Sequence, residues 1–181
     1  MNLSRGNAKH ILVELEQAYT CARQQEVPSS LSPFPPPGSK VVIVRSSYYP
    51  ELVSSMEDAA RLTLREAGML PENIVTVRSP GSFEIPLLCK VIAEGGGIAG
   101  MLALGIIVQG ETHHAGEVAR ACTDGLLQVQ LMHRLPIAHA VLYVTTLQQA
   151  KDRCLGRGNK GVETARSLLH MMSIIGSYTR S

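Results

Sequence analysis

Residues 101–114 read MLALGIIVQGETHH, and the fold is decided there. From Met101 to Val108 the run is apolar in character, interrupted only by Gly105. That is the pattern of a central strand covered on both faces, since a strand with one wet face alternates. Gly110 then turns the chain, and near His113 or His114 the period changes. Val118, Ala121, Cys122, Gly125, Leu126, Val129 and Met132 recur at helical spacing, which predicts one face of a long helix. A buried strand feeding a helix through a glycine turn is half of a parallel β-α-β unit.

The same alternation extends on both sides. Val41–Val44 and Ile74–Val77 are short β-branched runs, and Leu52, Met56, Ala59, Ala60, Thr63 and Ala67 between them mark a helix that Gly68 ends. Phe83–Ala93 reads as a helix that tolerates Pro86 in its first turn, with Ser82 as its N-cap and Gly95, Gly96 and Gly97 closing it. Ile137–Val144 is a fourth strand, Leu147–Arg153 a short helix, and Gly161–Ile175 a last helix with Val162, Ala165, Leu169 and Met172 inward. The expected fold is a three-layer α/β/α sandwich of about four parallel strands. It occupies residues 40–181. Before it, residues 8–24 have a weak amphipathic helical pattern and residues 27–39 hold five prolines, an extended linker. Residues 1–39 are read either as an arm that contacts another subunit or as a partly disordered tail.

Composition narrows the function. The chain has 181 residues, 45% of them hydrophobic, with 17 basic and 15 acidic residues, a length and core suited to one domain. A net charge of +2 with no basic run argues against nucleic acid and anionic membranes as partners. The longest apolar stretch, Ile98–Val108, is too short to span a bilayer. Cys21, Cys89, Cys122 and Cys154 are widely spaced and form no C-x-x-C pair, which fits reduced thiols in a cytoplasmic protein.

In open parallel sheets ligands bind beyond the carboxyl ends of the strands. Three of the four loops there carry unusual residues. After the first strand come Tyr48 and Tyr49, whose faces suit a flat heterocycle or whose rings merely cover the core. After the second comes SPGSFEIP, residues 79–86, where Ser82, Phe83 and Glu84 stand at a helix start; a well-capped helix with Glu84 answering its dipole is the plainer reading. After the third comes QGETHH, residues 109–114, a glycine turn into a helix N-terminus, which favours phosphate, beside an imidazole able to move protons near neutral pH. A pair of exposed capping histidines is the alternative. Adjacent helical histidines point about 100° apart, which disfavours a shared metal ion. After the fourth strand, Arg153 offers a two-pronged phosphate contact, and the glycine-rich residues 156–161 read as a bend.

Taken in order, SPGSFEIP at 79–86, GETHH at 110–114, Gln149-Ala150 with Arg153, and GNKG at 158–161 resemble the lumazine synthase family, with a likeness running from about Lys40 to Met172. The resemblance implies a flavodoxin-like subunit. It also implies condensation of 5-amino-6-ribitylaminouracil with 3,4-dihydroxy-2-butanone 4-phosphate, without cofactor or metal. By matched position, His114 is the proton-transfer histidine of a Gly-x-Thr-x-His motif, and Thr112, Glu111 and Arg153 cradle the phosphate. Ser82, Phe83 and Glu84 meet the ribityl chain and ring, Ile106, Ile107 and Val108 line the pyrimidine, and Tyr48 stacks on it. Lys160 and Glu163 support a subunit junction. The implied partners are the two substrates, further copies of the chain in an assembly built on pentamers, and riboflavin synthase.

Three positions and one linker length depart from the family pattern. Tyr49 stands where asparagine is usual, Ala115 where an aromatic follows the motif histidine, His139 where a phenylalanine is common, and the linker before GNKG is one residue shorter. They motivate the first of two rivals to an active enzyme. One is a catalytically weak flavin- or lumazine-binding or shell-forming paralogue, and the other a phosphate-binding regulatory module of the same fold.

Overall fold

The computed structural model describes residues 38–178. The expected helix at residues 8–24 and nearly all of the proline-rich segment lie outside the described residues. Four strands, β1 Val41–Ser46, β2 Ile74–Ser79, β3 Gly100–Val108 and β4 Ile137–Val144, pair in the order β2-β1-β3-β4, all parallel. Helices α1 Pro50–Glu66, α2 Ile85–Gly95, α3 His114–His133, α4 Leu147–Cys154 and α5 Lys160–Tyr178 complete the described elements, with short 3-10 turns at Pro71–Asn73 and Gly156–Gly158.

The period-two alternation of the strands sorts the helices into two layers. Val41, Ile43, Leu102, Leu104 and Ile106 point to one side and pack with Leu52, Met56, Leu64, Ala150, Ala165 and Leu168 of α1, α4 and α5. Val42, Val44, Met101 and Ala103 point to the other, against Ile85 and Cys89 of α2 and Cys122, Leu126 and Val129 of α3. This is the three-layer sandwich read from the sequence. The β3 strand is buried along nearly its whole length, as its unbroken apolar run requires.

The expected strand cores fall inside the observed strands, but three helix details differ. The α2 helix begins at Ile85, Glu84 occupies its N-cap, and no side chain caps it. Ser82 is instead turned into the core side of the loop and buried. Along α3, Ala121 and Met132 are exposed while Cys122, Leu126 and Val129 are buried. In α5, Thr164 and Leu168 join Ala165, Leu169 and Met172 in the core, and Val162 is only half-buried.

The end of α1 is fixed by backbone hydrogen bonds and the α4–α5 junction by a side chain. Gly68, at φ 94°, ends α1, its N–H reaching Arg65 O at 2.9 Å while Met69 N–H reaches Leu64 O at 3.1 Å. Between α4 and α5, the Asn159 amide donates to Ser55 O, Ser55 Oγ and Cys154 O at 3.1, 3.2 and 2.6 Å and accepts from Gly161 N at 2.8 Å. One buried amide thus ties α1, α4 and α5. Cys89, Cys122 and Cys154 are buried free thiols, and burial pushes them up to about 12, 11 and 11, so they stay protonated and unreactive.

Candidate active site

Sheet register brings three small residues into one row on the α2–α3 side at the carboxyl end. Ser46 pairs with Ser79, and Gly105 lies beside Ser46, one step beyond the Arg45–Leu104 pair. Their small side chains leave a step at the end of the sheet. Two loops are joined over it: Ser47 donates from both N–H and Oγ to Ser79 O, at 2.9 and 2.8 Å. Ser46 Oγ accepts from Tyr48 N at 3.1 Å, and Ser79 Oγ donates to Gly81 O at 2.7 Å. The loops that follow β1 and β2 are therefore a single hydrogen-bonded unit.

That unit collects four of the expected residues. Tyr48 and Phe83 are 66% and 58% exposed, two aromatic faces held out from a rigid base. A Cβ placed on Gly81 would lie 2.9 Å from Glu84 Oε2 and 3.6 Å from the Tyr48 ring, so Tyr48 and Glu84 both border Gly81. A Cβ on Gly105 would lie 2.7 Å from Ser82 Oγ and 3.4 Å from Ser46 Cβ. The gap in the apolar run of β3 is thus the seat of Ser82. Reading Gly105 only as an interruption missed this; a glycine in an otherwise ideal central strand is itself a signal of close approach. Gly105→Ala is expected to leave the protein folded, at a cost of about 1–3 kcal/mol, because one overpacked methyl moves a loop and not the sheet. With Ser82 as an expected substrate contact, its displacement should lower kcat/KM roughly 100-fold, as ångström shifts of positioning groups do. Steady-state rates beside a urea midpoint check both.

The loop after β3 adds the polar groups. Gln109 N–H donates to Val144 O at 2.8 Å, which fixes where β3 stops. Glu111, Thr112, His113 and His114 then lie exposed at the start of α3. His113 occupies its N-cap without a side-chain cap bond. A 20-residue helix thus presents the positive end of its dipole and free N–H groups to the space beyond the strands. Ile106 and Ile107 are buried and Val108 half-buried, so these three offer backbone rather than side chains there.

Two expected residues stand apart from this cluster. Arg153 is exposed on α4 and donates to Gln149 O of its own helix at 3.1 Å. Since α4 packs on the α1 side and α3 on the other, Arg153 and His114 flank the edge strand β4 from opposite layers. His139 pairs with Ala103, two residues before the Gly105 row, and is exposed on that same edge strand. Neighbouring protein still displaces enough water to lower its pKa from the ordinary histidine value, so the ring is neutral at neutral pH. Lys160 and Glu163, the expected junction residues, form an ion pair on the first turn of α5. Among the described residues no group of three or more His, Cys, Asp or Glu side chains is placed to hold a metal ion, and no helix is long and apolar enough to cross a membrane.

Two comparisons bear on these features. The family described as 6,7-dimethyl-8-ribityllumazine synthase matches residues 38–175. A Xylella fastidiosa (strain 9a5c) protein named 6,7-dimethyl-8-ribityllumazine synthase is 36% identical over 141 residues, covering 77% of this chain and 92% of that relative.

Proposed function

The chain belongs to the 6,7-dimethyl-8-ribityllumazine synthase family, a transferase of riboflavin biosynthesis, and from that premise we infer how its residues divide the work. The observation that supports this reading is that exposed aromatic faces on one loop unit and an uncapped helix N-terminus beginning at His114 both follow the carboxyl ends of the parallel strands. The first suits the flat ribitylaminouracil, the second the phosphate of the butanone. Tyr48 and Phe83 face the ring, Glu84 and the backbone at Ser82 meet the ribityl chain, and the backbone of Ile106, Ile107 and Val108 aligns the pyrimidine edge. Glu111 and Thr112 hold the phosphate with the α3 amides.

The chemistry then follows from placement and proton transfer. The amine of the uracil adds to the ketone and water leaves, giving an imine. Loss of a proton and of inorganic phosphate generates the acceptor, and attack by the ribityl-bearing nitrogen with loss of a second water closes the pyrazine ring. His114 stands where those protons move, and Arg153 neutralises the departing phosphate.

The separation of Arg153 and His139 from the cluster supports a site shared between copies. Leu87 and Val91 stand four residues apart on the outer face of α2, with Phe83 in the loop just before it, and Leu127 and Leu131 are spaced likewise on α3, all exposed in the single chain. An apolar face of that extent calls for a partner. We assign it to a pentamer, in which Arg153 and His139 of one copy complete the site of the next, in a cytoplasmic setting and with riboflavin synthase as the consumer of the product. Sedimentation of the native protein reads this; a monomer at micromolar concentration would overturn it.

The assay is direct. Protein mixed with the aminouracil and butanone phosphate should raise lumazine absorbance well above the uncatalysed background, and a rate equal to background would sink the assignment. One glycine tests the phosphate site separately. A Cβ on Gly110 would meet nothing within 4 Å in the chain, and its φ is ordinary. Gly110→Ala should therefore keep its stability within about 0.5 kcal/mol. Its KM for butanone phosphate should rise about tenfold, because backbone approach to phosphate is what the missing side chain permits.

A further inference from the structure

On the α1 side of the sheet Val41, Ile43 and then Arg45 occupy successive inward positions of β1. An apolar residue would satisfy the third position, yet an arginine only 5% exposed stands there, and its Nε is buried without a hydrogen-bond partner. Burying a guanidinium is costly unless its charge is met, so the residue is kept for something that packing alone does not supply.

What meets it is one face of α1. Arg45 Nη1 donates to Ser54 Oγ at 2.7 Å and to Glu57 Oε2 at 3.0 Å. The other carboxylate oxygen of Glu57 accepts from Thr76 Oγ1 at 2.6 Å and from Arg61 Nε at 3.1 Å. Arg61 continues to Ile74 O at 3.1 Å and to Thr76 Oγ1 at 2.7 Å. Residues 54, 57 and 61 share a helix face by their spacing. A single carboxylate therefore holds the end of β1 through Arg45 and the edge strand β2 through Thr76 and Arg61. These contacts lower the Glu57 pKa against the opposing effect of burial, the largest single influence, so the carboxylate stays charged.

The next residues on both strands belong to the site: Ser46-Ser47-Tyr48 follow Arg45, and residues 80–84 follow Ser79, the last residue of β2. We propose that Glu57, with Arg45, Thr76 and Arg61, is a positioning device that sets the gap between Tyr48 and the Ser82–Glu84 loop and so the fit of the aminouracil. Charge-assisted bonds fix lateral position and angle, which apolar contacts do not. The device works from the opposite face of the sheet, touching neither substrate. It rests on the reading that Tyr48, Ser82 and Glu84 hold the aminouracil.

The test uses the full-length protein and titrates each substrate at saturation of the other. Glu57→Gln should raise KM for the aminouracil about tenfold while leaving KM for butanone phosphate within about twofold of wild type. Glu57→Asp, which keeps the charge, should recover part of the loss. Met172→Ala, in the α5 layer of the core, serves as a control for destabilisation alone. Thr76→Val, which removes one hydroxyl, should show a smaller shift of the same kind and replaces Glu57→Gln if that variant does not fold. Equal changes in both KM values, or a Glu57→Gln profile matching Met172→Ala, would overturn the proposal. A wild type that makes no lumazine would instead overturn the site reading beneath it.

Discussion

Replacing His114 by alanine should lower kcat for lumazine formation about 100- to 10,000-fold, the range a positioned acid–base group contributes. The reaction moves protons at imine formation, at phosphate loss and at ring closure, and His114 is the titratable side chain at the first position of α3, next to the amides assigned to phosphate. No shape change should accompany the loss, because His114 is exposed and packs no core. The phosphate contacts remain, so KM for the butanone should change far less than kcat, the signature of a group acting on the reacting bonds. His113→Ala is the companion measurement. Its side chain leaves the helix about 100° from that of His114 and should cost little activity. Equal losses in the two variants would assign the chemistry elsewhere. Single-turnover absorbance, with both substrates saturating, separates the cases.

The sheet was legible in the sequence because strand burial leaves a local imprint. The run 101–108 reads as doubly covered and is, and every strand core fell inside its observed bounds. Helix faces were less legible because their partners are not local. Pro86 of α2 sits against Gly125, halfway along α3, where a Cβ would lie 2.8 Å from Pro86 Cβ. Hence α2 covers only the later turns of α3, and Ala121, on the correct stripe but before that crossing, meets solvent. Met132 lies about 100° from His133, on the wrong side of the buried stripe.

In the candidate site, composition and position pointed to the loops at the strand ends, while side-chain orientation was hidden. Ser82 has the chemistry of an N-cap, but the space at Gly105, 23 residues later, draws its hydroxyl inward. Tyr49 illustrates the converse. Its φ of 51° is a left-handed conformation that asparagine adopts readily and tyrosine does not, so the backbone there is one the sequence did not announce. Arg45 and Glu57 carried no motif, since a strand residue and a helix residue 12 positions away announce no pairing.

Gly161→Ala should be the most damaging single methyl in the described structure, although intrinsic helix propensity predicts a gain of about 1 kcal/mol. Gly161 is the second residue of α5, and a Cβ there would lie 2.7 Å from the carbonyl carbon of Met56 and 2.9 Å from its Cα. Both are backbone atoms inside α1, so no side chain can rotate away and the two helices must part. Parting them strains the Asn159 clamp as well, because its amide bonds Ser55 O, next to Met56, and accepts from the N–H of Gly161 itself. Overpacking alone costs about 1–3 kcal/mol, and adding the clamp's buried hydrogen bonds carries the expected loss to about 3 kcal/mol or more. Gly176→Ala on the same helix meets nothing within 4 Å and should be neutral or stabilising by up to about 1 kcal/mol. Urea midpoints of the two variants must therefore move in opposite directions or differ by several kcal/mol. The same displacement reaches the chemistry, since Asn159 also holds Cys154 O at the end of α4, one residue beyond Arg153. A Gly161→Ala protein that remained folded should consequently bind butanone phosphate more weakly, whereas matched losses for both glycines would show that the α1–α5 crossing has room that the backbone geometry denies.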